Sequence, residues 1–275
     1  MTGFSPDGVG QWTEPDTFEV TAERIAQYAA ATNDPIPAHL SGDIAPPVFA
    51  IVPVFMSLIP AALAVAPAEY VMRIVHGMQD FRFHQVIRPG MTLVSRAKPI
   101  GFGGNPKGTR VAVYIESRSS DGSLVNEQWV TSFFRNIDAG PLVGSLAPVH
   151  SFTQDDPVAN VVSHVDDDQT FRYSLASGDP MPIHLDEEIA RMAGLPGIIA
   201  HGLCTMAFTS WAVLTEVANG DTARLRRLAV RFNKPVLPGQ DIATQVWRSG
   251  PNYTYETKVG ETVVIRDGYA EIAED

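Results

Sequence analysis

The feature that most constrains this chain is a short plan that occurs twice. Residues 28–40 read YAAATNDPIPAHL and residues 173–185 read YSLASGDPMPIHL, identical at seven of 13 positions with a constant offset of 145. The matches are Tyr28/Tyr173, Ala31/Ala176, Asp34/Asp179, Pro35/Pro180, Pro37/Pro182, His39/His184 and Leu40/Leu185. A second echo follows each block. Arg82-Phe83 and Pro89-Gly90 recur as Arg231-Phe232 and Pro238-Gly239, at an offset of 149. The four extra residues are an ordinary loop difference. Two echoes in the same order imply two copies of one fold. The stretch 138–157 is rich in Gly, Pro, Ser and Asp, as a connection should be. The expected organisation is therefore an N-terminal half over 1–138, a linker over 139–157 and a C-terminal half over 158–275.

Each half carries the same order of local signals. Thr21 caps a helix over 22–31, and Asp166 or Asp167 opens a helix ending near Ala176. The Asp-Pro-x-Pro-x-His segment that follows stays out of a helix, because a residue before proline avoids the α region. Asp186-Glu187-Glu188 suits a helix start and Gly194 its end. From Gly202 to Ala218 the chain is apolar nearly all round, which predicts a buried helix. The uncharged stretch Ile44–Ala68 stands at the corresponding place in the first half. Its length would allow a membrane span, but Pro46, Pro47, Pro53, Pro60 and Pro67 break it, so it reads as core. Strands are expected over 109–118, 128–135, 228–232, 242–248 and 262–272, with Pro-Gly turns at 89–90 and 238–239. A long buried helix followed by antiparallel strands predicts an α+β fold in which a sheet wraps the helix.

Composition narrows the function. The 275 residues are 45% apolar and 19% charged, as in a globular protein. The net charge of −11, from 31 acidic against 20 basic residues, argues against nucleic acid. Arg224, Arg226, Arg227, Arg231 and Lys234 form a local basic stretch suited to phosphate, or alternatively a charged, solvated strand edge. Residues 1–10 lack the pattern of a signal peptide, and the single cysteine, Cys204, excludes an internal disulfide. The cytoplasm is the default compartment.

Asp179 and His184 sit five residues apart on a segment stiffened by Pro180 and Pro182. A carboxylate beside an imidazole is an acid–base pair. The competing reading is a helix-capping Asp and a structural His. His201-Gly202 opens the buried helix, where N–H groups lack partners and the potential is positive. Gly202 lets a ligand oxygen approach that main chain, which could stabilise an oxyanion; the competing reading is a glycine kept for packing. His201 reads as structural. Ser210, two turns further on, reads as packed, with reach to a ligand as the alternative. Gly101 to Gly104 reads as a hairpin connection rather than a dinucleotide loop. Cys204 reads as core, and His76, His84, His150 and His164 show no metal-ligand spacing.

The run SGDPMPIHLDEEIARMAGLPGIIAHGL, residues 177–203, resembles the signature of MaoC-like dehydratases and type 2 enoyl-CoA hydratases. The weaker first copy extends the resemblance to the double hotdog form, with a degenerate half that forms the acyl pocket and a catalytic second half. The resemblance implies Asp179 and His184 as catalytic residues with a water held between them. It implies the Gly202 N–H as oxyanion donor to a thioester carbonyl. It also implies hydration of trans-2-enoyl thioesters to (3R)-3-hydroxyacyl thioesters, or the reverse, on coenzyme A or an acyl carrier protein, with no metal or redox cofactor. A homodimer is compatible with it. Two departures stand out. Met181 occupies the place of the family asparagine, and Val52-Pro53 stands where the second copy has His201-Gly202, so the first copy lacks that N–H. Competing functions are a non-catalytic acyl-CoA binding protein, or partner subunit, and a hotdog thioesterase.

Overall fold

The computed structural model describes residues 3–274. Along the chain the elements are β1 (Asp16–Glu19), α1 (Ala22–Ala31), α2 (Pro37–Leu40), α3 (Phe55–Leu63), β2 (Ile74–Phe83), β3 (Thr92–Asn105), β4 (Gly108–Ser119), β5 (Leu124–Arg135) and β6 (Val143–Gly144). Then come β7 (Asp156–His164), α4 (Gln169–Ser177), α5 (Glu187–Met192), α6 (Gly202–Val217), β8 (Leu225–Phe232), β9 (Asp241–Ser249), β10 (Asn252–Val259) and β11 (Thr262–Ile272). Short 3-10 segments lie between them, among them Pro47–Val54 and Pro182–His184. The chain forms two compact units. One comprises 1–18, 53–84 and 92–150; the other comprises 19–52, 85–91 and 151–275. The α1–α2 segment of the first half thus belongs to the unit that contains the second half.

The repeat is realised in the strand order. The first unit runs β1-β3-β4-β5-β2, and the second runs β7-β9-β10-β11-β8. Each strand of these two paths has its counterpart in the same place; β6, which pairs with β3, has none among the described residues. Neighbours β3/β4, β4/β5 and β2/β5 are antiparallel, as are β7/β9, β9/β10, β10/β11 and β8/β11. The Pro-Gly turns fall before β3 and β9, with Gly90 at φ +86° and Gly239 at +81°, a conformation that glycine adopts without strain.

In the second unit, α6 is buried from Leu203 to Leu214 and lies against β7, β8, β9 and β11. Burying each large apolar side chain there is worth roughly 1.5–3 kcal/mol, so an all-apolar helix stays in the sheet's concavity. α1 and α4 pack together in this unit, and their equivalent tyrosines meet: Tyr28 and Tyr173 hydroxyls are 3.3 Å apart in the core. Thr21 caps α1 through Arg24 N–H, as expected, whereas α4 begins after Asp168.

The stretch 44–68 is largely core, as read, with Val48 to Val52 and Ala61 to Ala62 buried. Its prolines divide it into the 3-10 turn Pro47–Val54 and α3, and α3 leaves Met56 73% exposed. Gly101 to Gly104 lies inside β3 rather than at a hairpin tip. A Cβ on Gly101 would come within 2.4 Å of the Ser145 carbonyl oxygen, so glycine is what lets β6 pair closely there. Strands β2, β3, β7 and β10 were not signalled by alternation. β2 lacks a clean two-residue burial period, and β3 carries Pro99 at a break in register.

Candidate active site

The site is built in the second unit where α4 stops. Gly178, at φ +77°, ends α4 in the left-handed conformation, and the chain turns outward into Asp179. The turn is pinned from both sides. Ser174 Oγ donates to the Asp179 carbonyl at 2.6 Å, and Asp179 N–H donates to Ser177 Oγ at 3.2 Å. Asp179 Oδ1 then accepts the Met181 N–H at 3.0 Å. That support for the carboxylate comes from the main chain of residue 181, so methionine supplies it as well as asparagine would.

His184 closes the 3-10 turn that begins at Pro182. Its Nδ1 is 2.8 Å from the Ile199 carbonyl. A carbonyl only accepts, so Nδ1 carries the hydrogen and Nε2 is left with a lone pair. The connection through Ile199 leads into His201, which is the N-cap residue of α6. The His201 ring stacks on His184, with centroids 3.8 Å apart and planes at 26°, and lies 4.9 Å from the Tyr173 ring. His201 Nε2 is 4.0 Å from Asp179 Oδ2. Gly202 follows as the first residue of α6, and a Cβ there would meet the Phe232 ring at 3.3 Å. Packing therefore favours glycine here, because the Phe232 ring would have to give by a few tenths of an ångström to admit a side chain.

Burial sets the protonation states. It raises the Asp179 carboxyl from 3.8 to about 6, against a smaller opposite pull from the Met181 N–H. Burial lowers His184 from 6.5 to about 4, so its imidazole is neutral at neutral pH. Burial and then the His184 charge lower His201 to about 2, against a small upward pull from the Asp179 main chain. A carboxylate that ionises near pH 6, beside a neutral imidazole with a free lone pair, can hold both hydrogens of one water.

The first-copy pair is different. His39 Nδ1 is 2.7 Å from Asp34 Oδ2, and His39 Nε2 is 2.6 Å from Thr222 Oγ1. Asp34 Oδ1 accepts the Ile36 N–H at 2.9 Å, and both side chains are buried. Every ring nitrogen and both carboxylate oxygens are already used within the protein. This pair ties the start of α2 to the 3-10 turn before β8.

The remaining residues separate clearly. Ser210 Oγ donates to the Ala207 carbonyl at 2.9 Å within α6 and is buried. Along β8 the arginines alternate: Arg226 is exposed, while Arg227 is buried, 3.6 Å from Glu271 and over the Tyr269 ring. Arg224 Nε donates to the Ala273 carbonyl at 3.0 Å. Arg231 is half-exposed, 3.8 Å from Asp267, and Lys234 is exposed. Asp179, His184 and His201 could each offer one ligand atom within 4.8 Å of one another. A tetrahedral zinc with ligands at about 2.0–2.1 Å brings its donor atoms to about 3.4 Å apart. His184 Nδ1 is already committed to the Ile199 carbonyl, and its ring is stacked face to face on His201, an arrangement that does not suit two ligands converging on one ion. The sequence reading missed the proximity of His201 to Asp179, 22 residues away, because no local spacing signals it.

Comparison with known proteins agrees with this geometry. A MaoC like domain matches residues 149–269, and a FAS1-like, dehydratase domain region matches residues 7–125. The 3-hydroxyacyl-thioester dehydratase Y of Mycobacterium tuberculosis is 30% identical over 290 aligned residues, covering 98% of both chains. The peroxisomal multifunctional enzyme type 2 of Drosophila melanogaster is 31% identical over 208 residues, 72% of this chain, but this chain spans only 34% of its length. For the fold, a MaoC-like dehydratase from Phytophthora Capsici superposes with a TM-score of 0.88 at 23% identity over 98% of both chains. A Mycobacterium tuberculosis protein described as having a double hotdog fold superposes at 0.64 with 12% identity over 96% of both chains. The repeated strand order, the second-copy dyad and these matches together place the chain, a double hotdog, in the MaoC-like dehydratase family.

Proposed function

We propose that this chain adds water across the double bond of trans-2-enoyl-CoA thioesters to give (3R)-3-hydroxyacyl thioesters, and runs the reverse dehydration. One observation carries the reading. Of two Asp-Pro-x-Pro-x-His pairs, the first has every polar atom satisfied, whereas the second keeps a carboxylate oxygen and an imidazole lone pair for a ligand beside a helix N-terminus. Relatives with matching names support the substrate class: a 3-hydroxyacyl-thioester dehydratase and an enoyl-CoA hydratase 2 of Arabidopsis thaliana, the latter 29% identical over 215 residues.

In this reading a water donates one hydrogen to Asp179 and the other to His184 Nε2. Its oxygen bonds to C3, and the π electrons move through C2 onto the thioester oxygen. The Gly202 N–H, at the positive end of α6, stabilises that charge. The enolate electrons then take a proton at C2, supplied by whichever member of the pair accepted it from water. His184 enters without a proton on Nε2, so it serves as acid only after acting as base, and the pair titrates as a unit. No electrons are gained or lost overall, so the reading calls for no redox cofactor. Arg226, Arg231 and Lys234 remain the candidates for the coenzyme A phosphates. Arg224 and Arg227 are committed to Ala273 and Glu271. The C-terminal half, 158–275, carries the chemistry in this proposal.

Among the described residues no helix is long and apolar enough to cross a membrane. The cytoplasm is the proposed compartment. Several relatives are named as peroxisomal, and imaging of the tagged chain would choose between the two. The functional test is hydration of crotonyl-CoA and longer enoyl-CoAs, followed by loss of enoyl absorbance. Turnover that disappears in Asp179→Asn and in His184→Gln supports the proposal. No turnover across the chain-length series, or release of free thiol instead, refutes it.

A further inference from the structure

His201 has a feature that packing alone does not explain. It is 1% exposed, and neither ring nitrogen makes a hydrogen bond of normal geometry, although the Asp179 main chain lies near enough to pull its pKa up weakly. A neutral imidazole carries one N–H, and leaving a buried donor unpaired is costly, so native proteins rarely tolerate it without a purpose. The groups that face this ring are few. Asp179 and His184 approach from the turn after α4, and Tyr173 approaches from α4 itself. On its own helix the neighbouring titratable group is Cys204, whose thiol burial pushes well up, as it does the Tyr173 phenol. Asp179 is therefore the single group among them that carries charge at neutral pH. Its Oδ1 is occupied by the Met181 N–H, and its Oδ2 is the atom nearest His201 Nε2, at 4.0 Å.

We propose that His201 is a positioning residue for the dyad: its Nε2–H closes on Asp179 Oδ2 when substrate is bound and holds the ionised carboxylate in line with the water, while its ring face fixes the plane of His184. Catalytic hydrogen bonds are often long in a ligand-free site and tighten in the complex. The Nε2–H tautomer leaves Nδ1 as the lone-pair side. This inference rests on Asp179 being the reacting carboxylate.

Two substitutions separate the donor from the ring. His201→Phe keeps a stacking ring and removes the N–H. His201→Gln keeps an N–H donor and removes the ring. If the donor matters, His201→Phe lowers kcat on crotonyl-CoA by about ten- to a hundredfold, the worth of a hydrogen bond to a charged group, with KM changed little. It also moves the acid limb of the kcat profile, which reports the substrate complex, upward by about one pH unit, because Asp179 loses a donor to its charged form. His201→Gln recovers most of both. A merely structural ring gives the opposite pattern: phenylalanine tolerated, glutamine not, and the acid limb unmoved. That pattern would overturn the proposal. A carbon-13 NMR titration of labelled Asp179 in wild type and His201→Phe, each filled with a saturated acyl-CoA that cannot react, keeps the test independent of turnover. An unchanged Asp179 titration overturns the positioning role, whereas absence of turnover in the wild type overturns the functional reading instead.

Discussion

Replacing Asp179 by asparagine should stabilise the protein above pH 6 while removing its activity. The magnitude follows from burial. The Asp179 side chain is 12% exposed, and its carboxyl is raised from 3.8 to about 6. The folded chain therefore holds this proton more tightly than the unfolded chain does. Below about pH 3.8 both states are protonated and no charge is buried. Between 3.8 and about 6 the unfolded chain ionises first and stability falls. Above about 6 both states are ionised and the full cost persists. At 1.36 kcal/mol per pH unit, that interval is worth about 3 kcal/mol. Asparagine keeps an Oδ1 acceptor for the Met181 N–H and carries no charge, so it relieves the cost without opening a gap. Thermal melts followed by circular dichroism at pH 8 should show a gain of roughly 6–10 °C, shrinking toward zero near pH 4. The hydration rate should fall by about 10²–10⁴ in the same variant. An unchanged or lower midpoint at pH 8, or a gain equal at both pH values, would refute the claim that the fold strains this carboxylate.

Four further outcomes are expected. The wild-type kcat/KM should fall on the acid side with an apparent pKa near 6, as Asp179 takes a proton and ceases to be a base; a profile flat down to pH 5 contradicts this. His39→Leu should cost about 3 kcal/mol in urea denaturation, because it leaves Asp34 and Thr222 without their buried partner, yet the folded fraction should keep its kcat. A kcat loss as deep as that of Asp179→Asn would move the chemistry to the first copy. Gly202→Ala should reduce kcat about tenfold, because the added methyl presses on Phe232 and tilts the first turn of α6 away from the thioester oxygen. Met181→Asn should change kcat/KM by less than about threefold, since the bond it makes to Asp179 comes from the main chain.

What the sequence determined by itself was whatever is encoded locally or by repetition. The offset of 145 between the Tyr28 and Tyr173 blocks announced two copies of one plan, and the strand orders of the two units match element for element. The apolar run after Gly202 specified a helix buried on all sides, because no face of it can be left in water. Prolines at alternate positions held Asp179 and His184 on one stiff segment. Within the two blocks residue types and spacing do not separate that pair from Asp34 and His39; only His201-Gly202 against Val52-Pro53, further along, points to the second copy. The tertiary structure separated them through distant partners. Thr222 lies 183 residues from His39 and closes the first pair into a saturated network. Ile199 fixes the tautomer of His184, and His201 comes up beside Asp179 from the start of α6, leaving the second pair with atoms to spare. Spacing along a chain sets which side chains can meet, but only folding sets which of their hydrogen-bonding positions are already filled, and it is the unfilled ones of the second pair on which the proposed chemistry rests.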